Sequence, residues 1–264
     1  MAYQRKIMTL PKPRQANKFL KEIPDDAIIW RYMNFASFYS MISTETLFFR
    51  RLDKYPDQLE ATLTEESVKQ LHEYSSRFPN ANPEVRKEWV ASIDEDVKNK
   101  RAWVLSNCWT ISDHEEYALW RIYLDGSKEG IAIKSTAKRL KESLKRTNYE
   151  ICFGKVDYDE RTLDLTDINM FVMAVSKRKY YAYENEYRAL IPHQYQPNIN
   201  QGSSPVPKFA IGTRVDVNLN LLIDKIYVSP FVEEWFTKIV KSVAHDNLAS
   251  FDSTNIISSS IKEK

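Results

Sequence analysis

Residues 26–51, DAIIWRYMNFASFYSMISTETLFFRR, hold two apolar runs of strand length with one helical period between them. The first run ends at Asn34, a residue type that accepts a hydrogen bond from the first turn of a helix and so marks its start. Behind it Phe35, Phe38, Tyr39 and Ile42 fall at i, i+3, i+4 and i+7, one face of a helix. TLFFRR, residues 46–51, reads as the next strand. A strand, a short helix and a strand in succession place the chain among mixed α and β folds.

The rest of the chain continues that alternation. Residues 64–101 read as helical, with Thr64-Glu65-Glu66-Ser67 opening one segment and Pro83 opening another after the loop FPNANP. AWVLSNCWTI (102–111) is a strand. In DHEEYALWRIYL (113–124), Asp113 is the expected cap, Tyr117, Trp120 and Leu124 form one stripe, and Gly126 ends the helix. GIAIKS (130–135) is a strand and AKRLKESLKR (137–146) a basic amphipathic helix. A strand over 150–160, a helix over 168–179 and the strand NEYRALI (185–191) follow. Residues 192–208, with four prolines, are the expected long loop. Strands FAIGTRVDV (209–217) and LIDKIYV (222–228) precede a last helix after Pro230 that carries Trp235, Ile239 and Val243 on one face. No repeat or composition break divides the chain, so the expectation is an N-terminal arm over 1–25, one α+β domain over 26–247 and a flexible tail over 248–264.

Composition excludes several classes. The 264 residues are 43% hydrophobic and 28% charged with a formal charge of +2, ordinary for a globular chain. No apolar run approaches the roughly 18 residues that span a bilayer, and the basic N-terminus has no apolar signal segment. A cytoplasmic location without a membrane partner is expected. Cys108 and Cys152 are too few for a disulfide framework. Five glycines cannot supply a dinucleotide fingerprint or a P-loop. His114-Glu115-Glu116 has Ala118 where a second metal-binding His would stand, and His72, His193 and His245 are isolated, so no metal is expected. Ser135, Ser176 and Cys108 lack a nucleophile elbow. Lys134, Lys138, Arg139, Lys141, Lys145, Arg146 and Lys177-Arg178-Lys179 read either as solvated faces or as a track for a phosphate backbone.

Two resemblances add to this reading. WRYMNFASFYSMI, LFFRRLDKYPDQLE, SNCWTISDHEEYALWRIYL, GIAIKSTAKRL, FGKVDY, KRKYYAYENEYRALI, and VDVNLNLLIDKIYVSP followed by EEWF together resemble the bacterial family called domain of unknown function 2971. They reach from about residue 29 to residue 245. That family's Asp-Pro-Phe-Glu-Gly turn stands here as Asp57-Gln58-Leu59-Glu60-Ala61, which puts the shape of the turn in question.

The order of pieces is also similar to the core of the ADP-ribosyltransferase superfamily, which implies a split, mixed or antiparallel sheet flanked by helices. Arg31 sits where that superfamily has its first-strand anchor, Ser135-Thr136 resemble its Ser-Thr-Ser strand, and Glu184-Asn185-Glu186 its Glu-x-Glu pattern. The resemblance implies NAD as substrate and an unidentified macromolecular acceptor, protein or nucleic acid, with a toxin or anti-phage role conceivable. It casts Glu186 and Glu184 as catalytic. Arg31, Tyr32, Ser135, Thr136, Trp109, Trp120 and Arg188 become NAD-binding residues. A carboxylate beside the ribose would stabilise the oxocarbenium-like state of glycosidic cleavage.

Structural alternatives stay open at each position. Glu184, Glu186 and Arg188 could form a charge ladder with Lys177 or Arg178, and Arg31 could pair with Glu60 or Glu186. Ser135-Thr136 could cap the next helix, and both tryptophans could be core. The second functional reading is a non-catalytic module that binds a nucleotide, nucleic acid or partner protein.

Overall fold

One strand of the sheet has two different neighbours along the same edge, and that fork organises the molecule. The computed structural model describes residues 19–78, 82–158, 169–192, 209–248 and 251–261. In chain order the elements are β1 (Ile28–Asn34), α1 (Phe35–Thr44), β2 (Thr46–Arg51), α2 (Glu65–Ser76), α3 (Pro83–Lys100), β3 (Val104–Ile111), α4 (Tyr117–Leu124), β4 (Gly130–Thr136) and α5 (Ala137–Ser143). Then come β5 (Cys152–Lys155), α6 (Met170–Ala174), β6 (Glu186–Pro192), β7 (Gly212–Asp216), α7 (Leu219–Leu222), β8 (Lys225–Val228), α8 (Glu234–Asn247) and β9 (Ile256–Ser258). The first unit forms for the local reasons its sequence offers. Asn34 Oδ1 accepts from Ser37 N at 2.9 Å, and Glu45 in the left-handed region at φ 49° closes α1.

Among the described residues nine strands form one mixed sheet, with β8–β9 parallel and the other pairs antiparallel. β3 pairs with β6 from Val104↔Pro192 to Thr110↔Glu186. On its other edge β3 meets β1 only at Ile29↔Ile111 and Trp30↔Thr110, and β2 only at Arg50↔Ser106 and Arg51↔Leu105. β1 carries β4, β8 and β9 away on one branch, and β2 carries β7 on the other. The middle of β3, residues 107–109, is left at the crotch of the fork.

Side-chain alternation then sorts the two faces. One face carries Ile29, Ile133, Leu105, Trp109, Tyr187 and Ile191 into a continuous core with Phe38 and Ile42 of α1, Leu140 of α5 and Phe236 and Val240 of α8. The opposite face carries two separate apolar patches. Val104 and Leu190 pack with Val97, Met170 and Phe171, while Trp30, Tyr32 and Ala132 pack with Leu119, Trp120 and Leu124 of α4. Between those patches β3 and β6 present Ser106, Cys108, Thr110, Glu186 and Arg188. The strands are therefore polar where the helices leave a gap.

Several expectations are corrected. The helix awaited from Asp113 begins at Tyr117, because Glu115 is drawn into tertiary bonds from Ser259 Oγ (2.7 Å) and Ser260 N (2.8 Å). The helix over 168–179 is confined to Met170–Ala174, since Asp157 N donates to Val175 O and Lys177 N to Asp157 O, pulling the following backbone alongside β5. In α8 the buried stripe is Phe236, Val240 and Ala244, while Trp235 is 51% and Ile239 41% exposed. Within residues 248–264, Ile256–Ser258 form β9 on the edge of β8, where a flexible tail was expected. Of the arm over 1–25, residues 1–18 lie outside the described residues; Leu20 is buried beside Gly154, and Lys155 N donates to Lys21 O. The proline-rich loop beyond Pro192 lies outside them up to residue 208. No helix among the described residues is long and apolar enough to cross a membrane.

Candidate functional site

β6 begins at Glu186 directly after a 3-10 turn, Lys179–Glu184, that ends in Asn185 at φ 39°. Asn185 Nδ2 donates to Ile111 O at 2.7 Å, which ties this left-handed corner to the end of β3. The corner brings two carboxylates onto one ammonium: Lys177 Nζ lies 2.5 Å from Glu184 Oε2 and 2.7 Å from Glu186 Oε1. Arg188, fully buried, donates from Nε to Glu186 Oε2 at 2.7 Å and from NH1 to Ala174 O at 2.8 Å. Its NH2 meets Glu60 Oε1 at 2.5 Å as an ion pair without hydrogen-bond alignment, and Glu60 Oε2 stands 3.8 Å from Lys177. Glu60 arrives from the turn after β2, where Ala61 takes φ 56°. The left-handed bend that favours glycine is thus made with alanine at the position where the resembling family has Gly.

Charge separates the two glutamates. Burial raises Glu184 to about 8, helped by its hydrogen bond to Glu186 and by that residue's charge. Burial acts on Glu186 in the same direction, but the Arg188 guanidinium, the Glu184 hydrogen bond and the Lys177 ammonium outweigh it and hold the carboxyl well below its usual range. At neutral pH the pair therefore carries one proton, on Glu184. Burial pushes the Cys108 thiol up to about 12, so it stands as a thiol, hydrogen-bonded with Tyr55 OH at 3.3 Å. A nucleophilic thiolate is not available there.

These groups border a cleft of 970 Å³ at the fork. Its lining includes Asp57, Glu60, Asp125, Lys177, Tyr181, Glu184 and Glu186, together with Cys108, Arg31, Phe48, Arg50 and Arg214. Arg31 belongs by register to the core face, opposite Ile133. Because β1 has left β3, its side chain instead enters the fork, donates from NH1 to Cys108 O at 2.7 Å and stands 6.0 Å from the Trp109 ring. The cleft lining thus carries both carboxylates and arginines.

The residues singled out in the sequence divide accordingly. Glu184, Glu186, Arg31 and Tyr32 line the cleft. Tyr32 also accepts from Glu116 N at 2.7 Å and stacks edge-on to Trp120 at 5.1 Å. Arg188 sits behind Glu186, and Trp120 belongs to the α4 patch. Trp109 lies in the main core, its Nε1 donating to Asn107 Oδ1 at 2.8 Å. Ser135 is on the core face, 0% exposed, and its Oγ donates to Leu222 O at 2.5 Å. Thr136 Oγ1 accepts from Arg139 N as the cap of α5. Neither lines the cleft, so the Ser-Thr pair does not converge with Glu186.

Arg31 pairs with neither Glu60 nor Glu186, whose partners are Arg188 and Lys177. On the basic helix, Arg139 reaches Ile223 O, Lys141 pairs Glu22 and Asp25, and Lys145 pairs Glu142. The charge ladder of Glu184, Glu186 and Arg188 with Lys177 is present, whereas Glu60, expected as a partner of Arg31, pairs with Arg188, and sequence reasoning missed Arg50 and Arg214 altogether. The signals for Lys177 and Glu60 were the short span from Lys177 to Glu186 in KRKYYAYENE and the acidic turn DQLEA.

No protein-family model matches the chain, so the resemblance to domain of unknown function 2971 gains no support, and no curated protein matches it. Among solved structures, Thermus sp. 2.9 DarT in complex with carba-NAD+ aligns over 89% of this chain and 96% of that one, at 9% identity and a TM-score of 0.36. A likeness that shallow decides neither fold nor function.

Proposed function

We propose that this cleft binds NAD and cleaves its nicotinamide glycosidic bond, transferring ADP-ribose to an acceptor. The observation that carries this reading is the cleft in the fork, whose lining combines the ionised Glu186 carboxylate with three arginines, Arg31, Arg50 and Arg214. NAD has the matching polarity: a diphosphate suited to planar guanidinium donors and, on the far side of one ribose, a positively charged ring. Arg31, Arg50 and Arg214 hold the phosphates in this reading, and Tyr32 supplies aromatic surface.

Glu186 faces the ribose. As the C1′–N bond breaks, nicotinamide leaves with the bonding pair and becomes neutral, and the sugar acquires positive charge that the fixed carboxylate stabilises. The acceptor's oxygen or nitrogen then bonds to C1′ and loses a proton. Glu184 holds a proton in the resting protein and hydrogen-bonds Glu186; in the fraction that has lost that proton to solvent as pH approaches about 8, its carboxylate takes the proton of the acceptor. Preorganisation by Lys177 and Arg188 keeps Glu186 charged before substrate arrives.

The test is nicotinamide release from NAD, with and without a cell extract as acceptor, beside an NAD-dependent shift in melting temperature. Release that is lost in Arg31→Ala and Glu184→Gln while both variants stay folded supports the assignment. An absence of both NAD stabilisation and nicotinamide release, extract included, would overturn it.

A further inference from the structure

The carboxylate cluster that borders the cleft already contains a cation. Lys177 Nζ touches Glu184 and Glu186, stands 4.8 Å from the Tyr181 ring, and its side chain is 7% exposed. Two carboxylates and an aromatic face around an ammonium form the environment that recognises an organic cation. Here it is filled from the same chain, by a residue that itself lines the cleft.

Charge balance gives this occupancy a consequence. Lys177 and Arg188 are the two cations facing Glu60, Glu184 and Glu186. With the proton on Glu184, two negative charges meet two positive ones, so no charge remains over for an incoming cation. Arg188 is locked by Glu186, Glu60 and the Ala174 carbonyl beneath the floor. Lys177 has a flexible four-carbon stem and borders the open side, so it is the member of the pair that can leave. Its withdrawal exposes Glu186 with one uncompensated charge directed into the cleft.

Resting on the reading of this cleft as the place where NAD is cleaved, we propose that the Lys177 ammonium is a resident stand-in for the substrate's positive charge. It occupies the cation subsite between Glu184, Glu186 and Tyr181 and must swing out before a cationic ligand sits there. The device holds the site closed to cations until binding energy from the arginines of the cleft, Arg31, Arg50 and Arg214, displaces it.

The experiment measures affinity of the folded protein for the 1-methylnicotinamide cation, with neutral nicotinamide as control. Lys177→Met should tighten the cation by about tenfold or more and leave nicotinamide within about twofold, whereas Lys177→Arg should keep the cation near the wild-type value. Where Lys177→Met does not fold, Lys177→Met/Glu184→Gln removes the ammonium together with one carboxylate and should still bind the cation more tightly than Glu184→Gln alone. Unchanged or weaker cation binding, or equal gains for cation and neutral ring, would show that Lys177 only supports the fold. Turnover of NAD by the wild type is read separately. Turnover without the gain removes the stand-in and leaves the enzymatic reading, and the gain without turnover does the reverse.

Discussion

Ser135 and Glu186 are buried to nearly the same degree, 0% and 2% exposed, on opposite faces of one sheet, and they make different demands on their surroundings. Ser135 has a single neutral hydroxyl and spends it on the Leu222 carbonyl, tying β4 to α7. Its surroundings are closed and satisfied. Glu186 holds two cations, shares them with two more carboxylates and borders a cleft. Burying that many charges is costly, and well-packed apolar side chains would give comparable stability. Burial alone therefore does not mark a site. An excess of mutually dependent charge beside open space does.

Arg188 is the place to break this comparison hardest. Arg188→Met leaves Glu60 and Glu186 facing each other beside Ala174 O, and a loss of about 3–5 kcal/mol is expected in urea denaturation. A loss under about 1 kcal/mol would mean that the charges around Glu186 are not interdependent. Glu186→Gln follows, with about 3 kcal/mol lost because two cations lose their shared partner. Nicotinamide release should fall on the order of a hundredfold or more in the same variant. Stability loss with retained activity would remove Glu186 from the chemistry.

Glu184 sharpens the contrast, because its carboxyl already carries a proton at neutral pH. The unfolded Glu184 is ionised there and the folded one is not, so Glu184→Gln, which has no proton to hold, should raise stability at neutral pH while reducing nicotinamide release. The pH dependence follows with a definite sign. Glu184 is raised from 4.5 to about 8 on folding, so its contribution is fully present below 4.5 and is lost as pH rises toward 8. Glu186 is lowered, so its contribution is present above 4.5 and is lost as pH falls toward its folded value. Melting temperature should therefore decline from mildly acidic pH toward pH 8, and Glu184→Gln should flatten that decline. A decline unchanged in the variant would assign the titration to another group.

The smallest effect belongs to Ser135. Ser135→Ala removes one buried hydrogen bond and should cost about 1–2 kcal/mol with nicotinamide release unaltered. A large loss of activity without a stability change would restore Ser135 to the site.

Local chemistry made the first unit legible. Asn34, the helical face of Phe35, Phe38 and Ile42, from which the expected Tyr39 departs at 49% exposure, and TLFFRR each encode their element within a few residues, and helix caps and strand alternation need no distant partner. The two stripes of α8 show where that limit lies. Trp235-Ile239-Val243 and Phe236-Val240-Ala244 are both apolar at helical spacing, and packing into the main core, with Phe35 5.2 Å from Phe236, selects the second. β9 is three residues long and exists because β8 offers an edge.

The sequence by itself determined the mixed α and β order and placed Glu184 and Glu186 two residues apart, within reach of one cation. Tertiary structure decided what that pair meets. Glu60 and Lys177 reach it from segments 126 and 9 residues away along the chain, by subtraction of their residue numbers from 186, and Arg31 enters the cleft because β1 parts from β3 after Trp30. Ser135 was separated from Glu186 by the pleat, since alternation sends neighbouring register positions to opposite faces whatever their chemistry. Spacing in a sequence fixes which side chains share an element. Which elements fork, and which charges are then enclosed together, depends on strand pairings and packing between residues far apart in the chain.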